Sequence, residues 1–364
     1  LRKMLPKRPE FEAAREGLLE IPDNDELFAQ TIDGAYVVTG FAMTGGKTTE
    51  AAPAIKAGFA ENGDRAAPYL PAYSGAMKVL SNIEEKAAGN GALNAIPESD
   101  GVYRRIPMFV TLSDKIYPSL VAESLRVAQD ASTFIIQAVG ASGEEGFGET
   151  GLVSFKVGAV KVPTDENGQI WVRFTGDIPE RYVPAWKLLD GSAPAEKLEG
   201  HIVLIGTSAA AMKDLRATPL DPAAAGVSLH AEALETILTG NFLNRPDFAH
   251  GLEVVASFLL GLLLIWLLPK WGSVWCAVLT LVAISGVVGG AWYAFDVHNW
   301  LLDPIYFSVV ILVIYLTQSL LIFLATEAER ARVRGAFGMY LSPALVEQLA
   351  SDPEQLKLGG EMKD

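Results

Sequence analysis

Apolar and polar positions divide the chain into two unlike parts. Up to about residue 250, short apolar runs alternate with polar, Gly- and Pro-rich breaks. From Gly251 to Ala325, three long apolar stretches follow one another with little charge between them. In the first part, Asp23 or Asn24 caps a short helix through Leu27, Phe28 and Ile32. Residues 35–41 form a buried strand, and the Gly-, Ala- and Pro-rich stretch 44–75 is an irregular excursion. Residues 92–96 and 103–111 are strands joined by the turn Pro97-Glu-Ser-Asp-Gly101. A helix over 118–129 has Pro118 in its first turn and Leu120, Leu125 and Ala128 as apolar positions. A β-branched and aromatic run over 133–138 is a strand, and 139–151 is a mobile loop. Strands over 152–162 and 169–174 flank Asp165-Glu-Asn-Gly168, where Asn-Gly signals a hairpin because both central residues need positive φ. A helix over 182–189, a buried strand over 201–206 and a helix over 227–238 complete this part. Alternating strands and helices predict an α/β domain with a mixed sheet.

The second part has the pattern of membrane-spanning helices. Its charge-free cores run between Glu253 and Pro269, from Gly272 to Phe295 and from Pro304 to Thr326. The first is short for a bilayer that takes ~20 residues, so Glu253 lies at the interface. Trp266, Trp271, Trp275, Trp292 and Trp300 fall near the ends, as in interfacial aromatic belts. The connection after the first span carries Lys270, and Arg330, Arg332 and Arg334 follow the third. The connection between the second and third carries Asp296, His298 and Asp303 but no Lys or Arg. The positive-inside rule puts Lys270 and the arginines in the cytoplasm, and three spans then put residues 1–250 outside. Three transmembrane α-helices are therefore expected, at 251–268, 272–295 and 304–326, followed by a helical cytoplasmic connector, 327–364. An outside domain with no export signal at Leu1-Arg-Lys-Met-Leu-Pro implies an upstream segment, including a first membrane helix. Gly286, Gly289 and Gly290 in the second span suit close helix packing, either within one subunit or at a dimer face.

Composition changes the picture only by exclusion. A net charge of −14 argues against a nucleic-acid partner. The single cysteine, Cys276, lies in an apolar stretch, so neither an intrachain disulfide nor a cysteine-based zinc cluster is available. Spans without mid-membrane Asp, Glu, Lys, Arg or His count against an ion-coupled transporter. Catalytic triad spacing, a zincin motif and a Walker loop are missing from the sequence.

Several motifs occur in an order that resembles a known family. These are Tyr103-Arg-Arg-Ile-Pro-Met-Phe-Val, Tyr117-Pro-Ser-Leu-Val-Ala-Glu-Ser-Leu and Ile170-Trp-Val-Arg-Phe-Thr-Gly176. Leu198-Glu-Gly-His-Ile-Val-Leu-Ile-Gly-Thr207, Asp214, Thr218-Pro219 and Gly226-Val-Ser-Leu-His-Ala231 follow. Together with three following spans, they are similar to the second type of CHASE (cyclase/histidine-kinase-associated sensory extracellular) domain, over roughly residues 20–325. The tail, Phe337-Gly-Met-Tyr-Leu-Ser-Pro-Ala-Leu-Val and Leu358-Gly-Gly-Glu-Met-Lys, resembles the connector into class III adenylate/guanylate cyclase domains. The catalytic residues of that family lie beyond Asp364 in its pattern, so none is carried over. The resemblance implies a bacterial inner-membrane, multi-pass receptor cyclase, a homodimer in contact with membrane lipid, with an unknown extracytoplasmic ligand. No cofactor is expected in this chain; Mg or Mn and ATP belong to the cyclase domain that the resemblance implies. Rival readings are the same sensor on a histidine or Ser/Thr kinase, a transporter subunit, or an exported anchored enzyme.

The candidate site residues follow from both readings. Asp214, Thr218 and His230 match the family's polar positions, where they hold a ligand or cap loops and bond backbone near a strand end. Ile205-Gly206-Thr207-Ser208 is either an anion-binding turn or a plain tight turn. His201 is an exposed strand opener, and Arg104 or Arg105 pairs with a carboxylate. Glu144, Glu145 and Glu149 form a loop that is either solvated or a site for a hard cation. In the connector, the charged helix from Glu327 weakens at Gly335 and restarts at Ser342-Pro343, with Ser as cap. A helix, a joint and a second helix would relay a change of angle from membrane to output domain.

Overall fold

The computed structural model describes residues 23–46, 51–140, 151–209, 214–246 and 248–337. They fall into two compact units that meet at the Leu243–Asn244 bond.

The described residues of the first unit open with helix α1, Asn24–Ile32, whose first turn is capped by Asp23 accepting from the Asp25 amide at 3.0 Å. The strand expected at 35–41 forms three residues later as β1, Val38–Thr44, and leaves Tyr36 exposed. The stretch expected to be irregular contains β2 (Gly58–Asn62), β3 (Ala72–Tyr73) and β4 (Gly75–Met77). Gly-Phe-Ala-Glu-Asn has little strand propensity of its own. It is extended because β2 pairs in parallel, over five residues, with β9, Thr133–Ala138. A short helix α2, Ser81–Lys86, leads to β5, Gly89–Ala92, in place of the strand expected at 92–96. β6 (Arg105–Pro107), β7 (Phe109–Leu112) and β8 (Lys115–Pro118) follow. Pro118 ends β8, and Ser119 caps helix α3, Leu120–Ala128, accepting from Ala122. β9 falls where expected. β10 (Leu152–Val157) and β11 (Val160–Pro163) turn back at Gly158, whose φ is 54°.

The Asn167-Gly168 turn is present, with Gly168 at φ 70°. It joins no hairpin: β12, Gln169–Trp171, pairs with β6 instead of β11. Local turn chemistry set the bend, and long-range pairing chose the partner. A second correction concerns residues 201–206, which form no strand. Val203 and Ile205 are exposed, and only Leu204 packs on the core. These residues are β-prone, yet a strand exists only where a neighbour completes its ladder. Helix α4 (Ala185–Leu189), a two-residue pair β13 (Leu215–Arg216) and β14 (Ala224–Ala225), and helix α5 (Gly226–Thr239) complete the unit. Gly240, at φ 68°, ends α5 in the left-handed conformation that glycine adopts without cost.

Mixed pairing is found, but in several small sheets in place of one. The orders are β4-β1-β5, β11-β10-β9-β2 and β3-β7-β8, with pairs β12-β6 and β13-β14. Phe59, Phe109, Phe134 and Phe155 form the aromatic centre of the main core, with centroids 4.9–6.2 Å apart. A buried ionic network ties β5 to α3. Glu123 accepts from the Asn90 amide and, on both oxygens, from Arg126, which also reaches the Ala88 and Ala131 carbonyls. Glu84 accepts from Asn90, Ala54 and Lys78.

The second unit is helical. The run α6, Phe248–His298, has 51 residues, and a straight helix of that length would measure ~76 Å. Its flanks nevertheless meet. Asn244 donates to the Asn299 carbonyl at 3.0 Å, Leu301 donates to the Asn244 carbonyl at 2.8 Å, and the Phe248 and Trp300 rings lie 5.7 Å apart. The run therefore folds back on itself at Gly272, where φ 80° and ψ 168° break the helix. Helix α7, Pro304–Phe337, packs on both arms through Leu264, Leu268, Cys276, Phe307 and Ile311. α6 and α7 are each long and apolar enough to cross a membrane, and only 28% and 11% of their most apolar windows are buried. A soluble core helix would hide such a surface. Glu253 joins the start of the unit together: it accepts from Arg245 at 3.1 Å and from the Asp303 amide at 2.9 Å. α7 continues unbroken through Gly335, whereas Ser342 and Pro343 lie outside the described residues.

Candidate ligand cleft

A concavity of about 330 Å³ in the first unit lies at the start of α5. Three segments build it. The 218–223 turn supplies one wall, held by Thr218, whose amide and hydroxyl both donate to the Asp221 carbonyl, at 2.8 and 3.0 Å. The Asp221 amide donates back to the Thr218 hydroxyl at 3.1 Å. The second wall is Phe174–Tyr182, which contributes Phe174, Asp177 and Tyr182. The third is α5, where Ser228 and Glu232 are one turn apart and share a face. Glu232 is 8% exposed and anchors the second wall by accepting from the Thr175 amide and hydroxyl, at 2.8 and 3.0 Å. Ala225, at the N-cap of α5, makes no side-chain cap. Burial, and then the Asp177 carboxylate, push the Tyr182 hydroxyl pKa up, while its bond with Ser228 pulls it down.

The three predicted site residues separate. Thr218 lines the cleft. Asp214 and His230 come together outside it. Asp214 pairs with Arg216 at 3.1 Å, and its carbonyl accepts from Gly226 at 2.8 Å. A Cβ at Gly226 would stand 2.4 Å from the Asp214 carboxylate, so glycine is required for this approach. His230 is buried, and its Nδ1 has no hydrogen-bond partner. Burial lowers its pKa to about 4; Asp214 and a hydrogen bond with the Leu93 backbone oppose the shift, and Arg216 adds to it. Of the lesser candidates, Ser208 reaches the cleft and His201 is exposed, its ring beside the Glu199 carbonyl. Arg104 pairs with Asp100, whose pKa falls to about 2, and Arg105 pairs with Glu98 and Asp165. Among the described residues, no three His, Cys, Asp or Glu side chains converge as metal ligands. Glu144, Glu145 and Glu149 lie outside those residues.

Sequence reasoning missed Asp177, Tyr182, Ser228 and Glu232. The i,i+4 spacing of Ser228 and Glu232 places them on one face of the helix and was the available signal. Asp177 and Tyr182 lie in a loop with no periodicity to betray them.

The cleft and the first part of the helical run α6 occur in one matched segment: residues 6–285 match the CHASE2 domain. The chain belongs to the CHASE2 family. CHASE2 is an extracellular sensor domain of signalling proteins, which fits a folded α/β unit followed by apolar helices. No curated protein and no solved structure matches the chain significantly. In this CHASE2 chain the match covers the first unit and continues into the fold-back of the helical unit.

Proposed function

We propose that this CHASE2 chain is the sensory and transmembrane portion of a receptor-type adenylate or guanylate cyclase, relaying an extracytoplasmic signal to cyclic-nucleotide synthesis. The observation that carries the reading is the continuity of a sensor-family domain with apolar helices and then a charged helix. The fold-back at Gly272 supports three crossings in place of two, because each arm is long enough to span. Lys270 and the arginines at 330, 332 and 334 then lie on one side, the cytoplasm of a bacterial inner membrane. The sensor unit lies on the other. Cyclase coupling rests on the tail motifs, and a homodimer follows from that coupling. Within the sensor, Thr218 contacts the ligand in this reading, while Asp214 and His230 hold the start of α5 in place.

The relay proposed is the α7 helix itself. At 1.5 Å per residue its 34 residues reach ~51 Å, beyond a hydrocarbon core of ~30 Å, so its charged end leaves the membrane as a rigid rod. The test joins the chain through its connector to a class III cyclase catalytic domain in a bacterium without its own cyclase. One inserted alanine after Glu329 turns the following helix by ~100°. Cyclic AMP output that changes several-fold with this insertion supports the relay. Output indifferent both to the insertion and to changes in the cleft would contradict it.

A further inference from the structure

The helical unit carries a groove of its own, of about 310 Å³, between the first arm of α6 and α7. Its content depends on where it lies in a bilayer, so this step rests on the spanning reading above. One face of α6, from Val254 to Ile265, forms one wall, and Tyr306, Val310 and Ile314 of α7 form the other. Gly261 lets the helices close on each other, since a Cβ there would stand 2.8 Å from the Ile314 Cδ1. Val254, Leu262 and Tyr306 along the groove are 43%, 49% and 53% exposed, so an apolar channel stays open beside that contact. From Val254 to Ile265 the helix rises ~16 Å at 1.5 Å per residue. One leaflet of a ~30 Å hydrocarbon core is ~15 Å deep, so the groove has the length of a single acyl-chain layer. It starts beside Glu253, at the interface, and runs inward, which places it in the extracytoplasmic leaflet. The head of the groove carries the matching charge. Arg245 reaches Glu253 through one Nη2 bond at 3.1 Å, and its side chain is 43% exposed. A half-exposed guanidinium at the interface suits a phosphate, which its planar fork of donors can bind at two oxygens.

We propose that this groove holds one acyl chain of an extracytoplasmic-leaflet phospholipid whose phosphate is bound by Arg245. The chain fills the channel beside the Gly261–Ile314 contact, and the headgroup lies at the Glu253 clasp, where the first and third crossings begin.

The experiment uses the full chain, purified in detergent, stripped of lipid and titrated with dioleoyl phosphatidylethanolamine, with bound lipids counted by native mass spectrometry. Dioleoylglycerol, with the same chains but no phosphate, and glycerol phosphate, with no chains, are the comparison probes. The phospholipid should bind one to a chain, and both comparison probes about tenfold more weakly or worse. Val254→Trp and Leu262→Trp, which put a bulky ring into the groove at exposed positions, should each abolish binding. Leu259→Trp, 60% exposed on the same helix but outside the lining, should leave it unchanged. Arg245→Gln should weaken it by about tenfold, the loss of a charge-assisted hydrogen bond. Binding that ignores both groove substitutions, or dioleoylglycerol binding as tightly as the phospholipid, overturns the assignment. Membrane insertion is read separately, by carbonate extraction of the membranes. A chain that resists extraction but binds lipid without regard to the groove fails this inference alone, whereas a chain that is extracted fails the spanning reading.

Discussion

His230 is held neutral on α5 by burial, with its Nδ1 sealed and unpartnered. Its pKa is about 4 when folded and 6.5 in the open chain. Between those values the unfolded chain binds the extra proton, so stability rises with pH across the window and is lost as pH falls through it. The total loss is on the order of 3 kcal/mol. Denaturant unfolding of wild type and His230→Leu, compared from pH 7 to pH 4, should show the variant losing less on acidification. Equal slopes would mean that His230 is not buried neutral. Glu123 gives a larger effect. Glu123→Ala strands the buried Arg126 guanidinium without its carboxylate and should cost about 3–5 kcal/mol, whereas replacing Arg65 or Asp114, paired at the exposed surface, should leave stability almost unchanged. A Glu123→Ala chain as stable as wild type would remove the network from the account.

Elements were legible in proportion to how local their causes are. α1 and α5 fall near their expected bounds because caps, a helical apolar period and a terminal glycine are local signals. β9 was legible from a β-branched run. β2 was not, since its order comes from pairing with a strand some seventy residues away. The extended 201–206 segment shows the converse, strong propensity without a partner. The same limit hid most of the cleft: Thr218 was singled out from the sequence, whereas Asp177, Tyr182, Ser228 and Glu232 were not. Close packing supplies an element-scale test. A Cβ on Gly91 would stand 2.6 Å from the Leu120 Cα and 2.7 Å from its nitrogen, so backbone would have to move. Gly91→Ala should lift α3 from β5 and lower stability by about 1–3 kcal/mol in thermal unfolding, while Gly34→Ala meets open space. Gly34 has positive φ, so its smaller cost is backbone strain alone.

At the scale of the molecule, the division into a folded unit and an apolar helical unit was legible from hydropathy alone. The fold-back was legible too, in Gly272 between two tryptophans and beside Lys270. The pairing of Asn244 with residues 299–301, and the Glu253 clasp on Arg245 and Asp303, were not legible, because they depend on the helices returning. The central claim is that the sensor unit and the charged end of α7 lie on opposite sides of a membrane. The most direct measurement labels single cysteines, in a Cys276→Ser background, with a membrane-impermeant maleimide. Cysteine replaces Glu199, Lys270, Asp296 or Arg330, all exposed. Labelling of positions 199 and 296 in intact cells, and of 270 and 330 only after permeabilisation, is the predicted result. Labelling of positions 199 and 330 from the same side would contradict it.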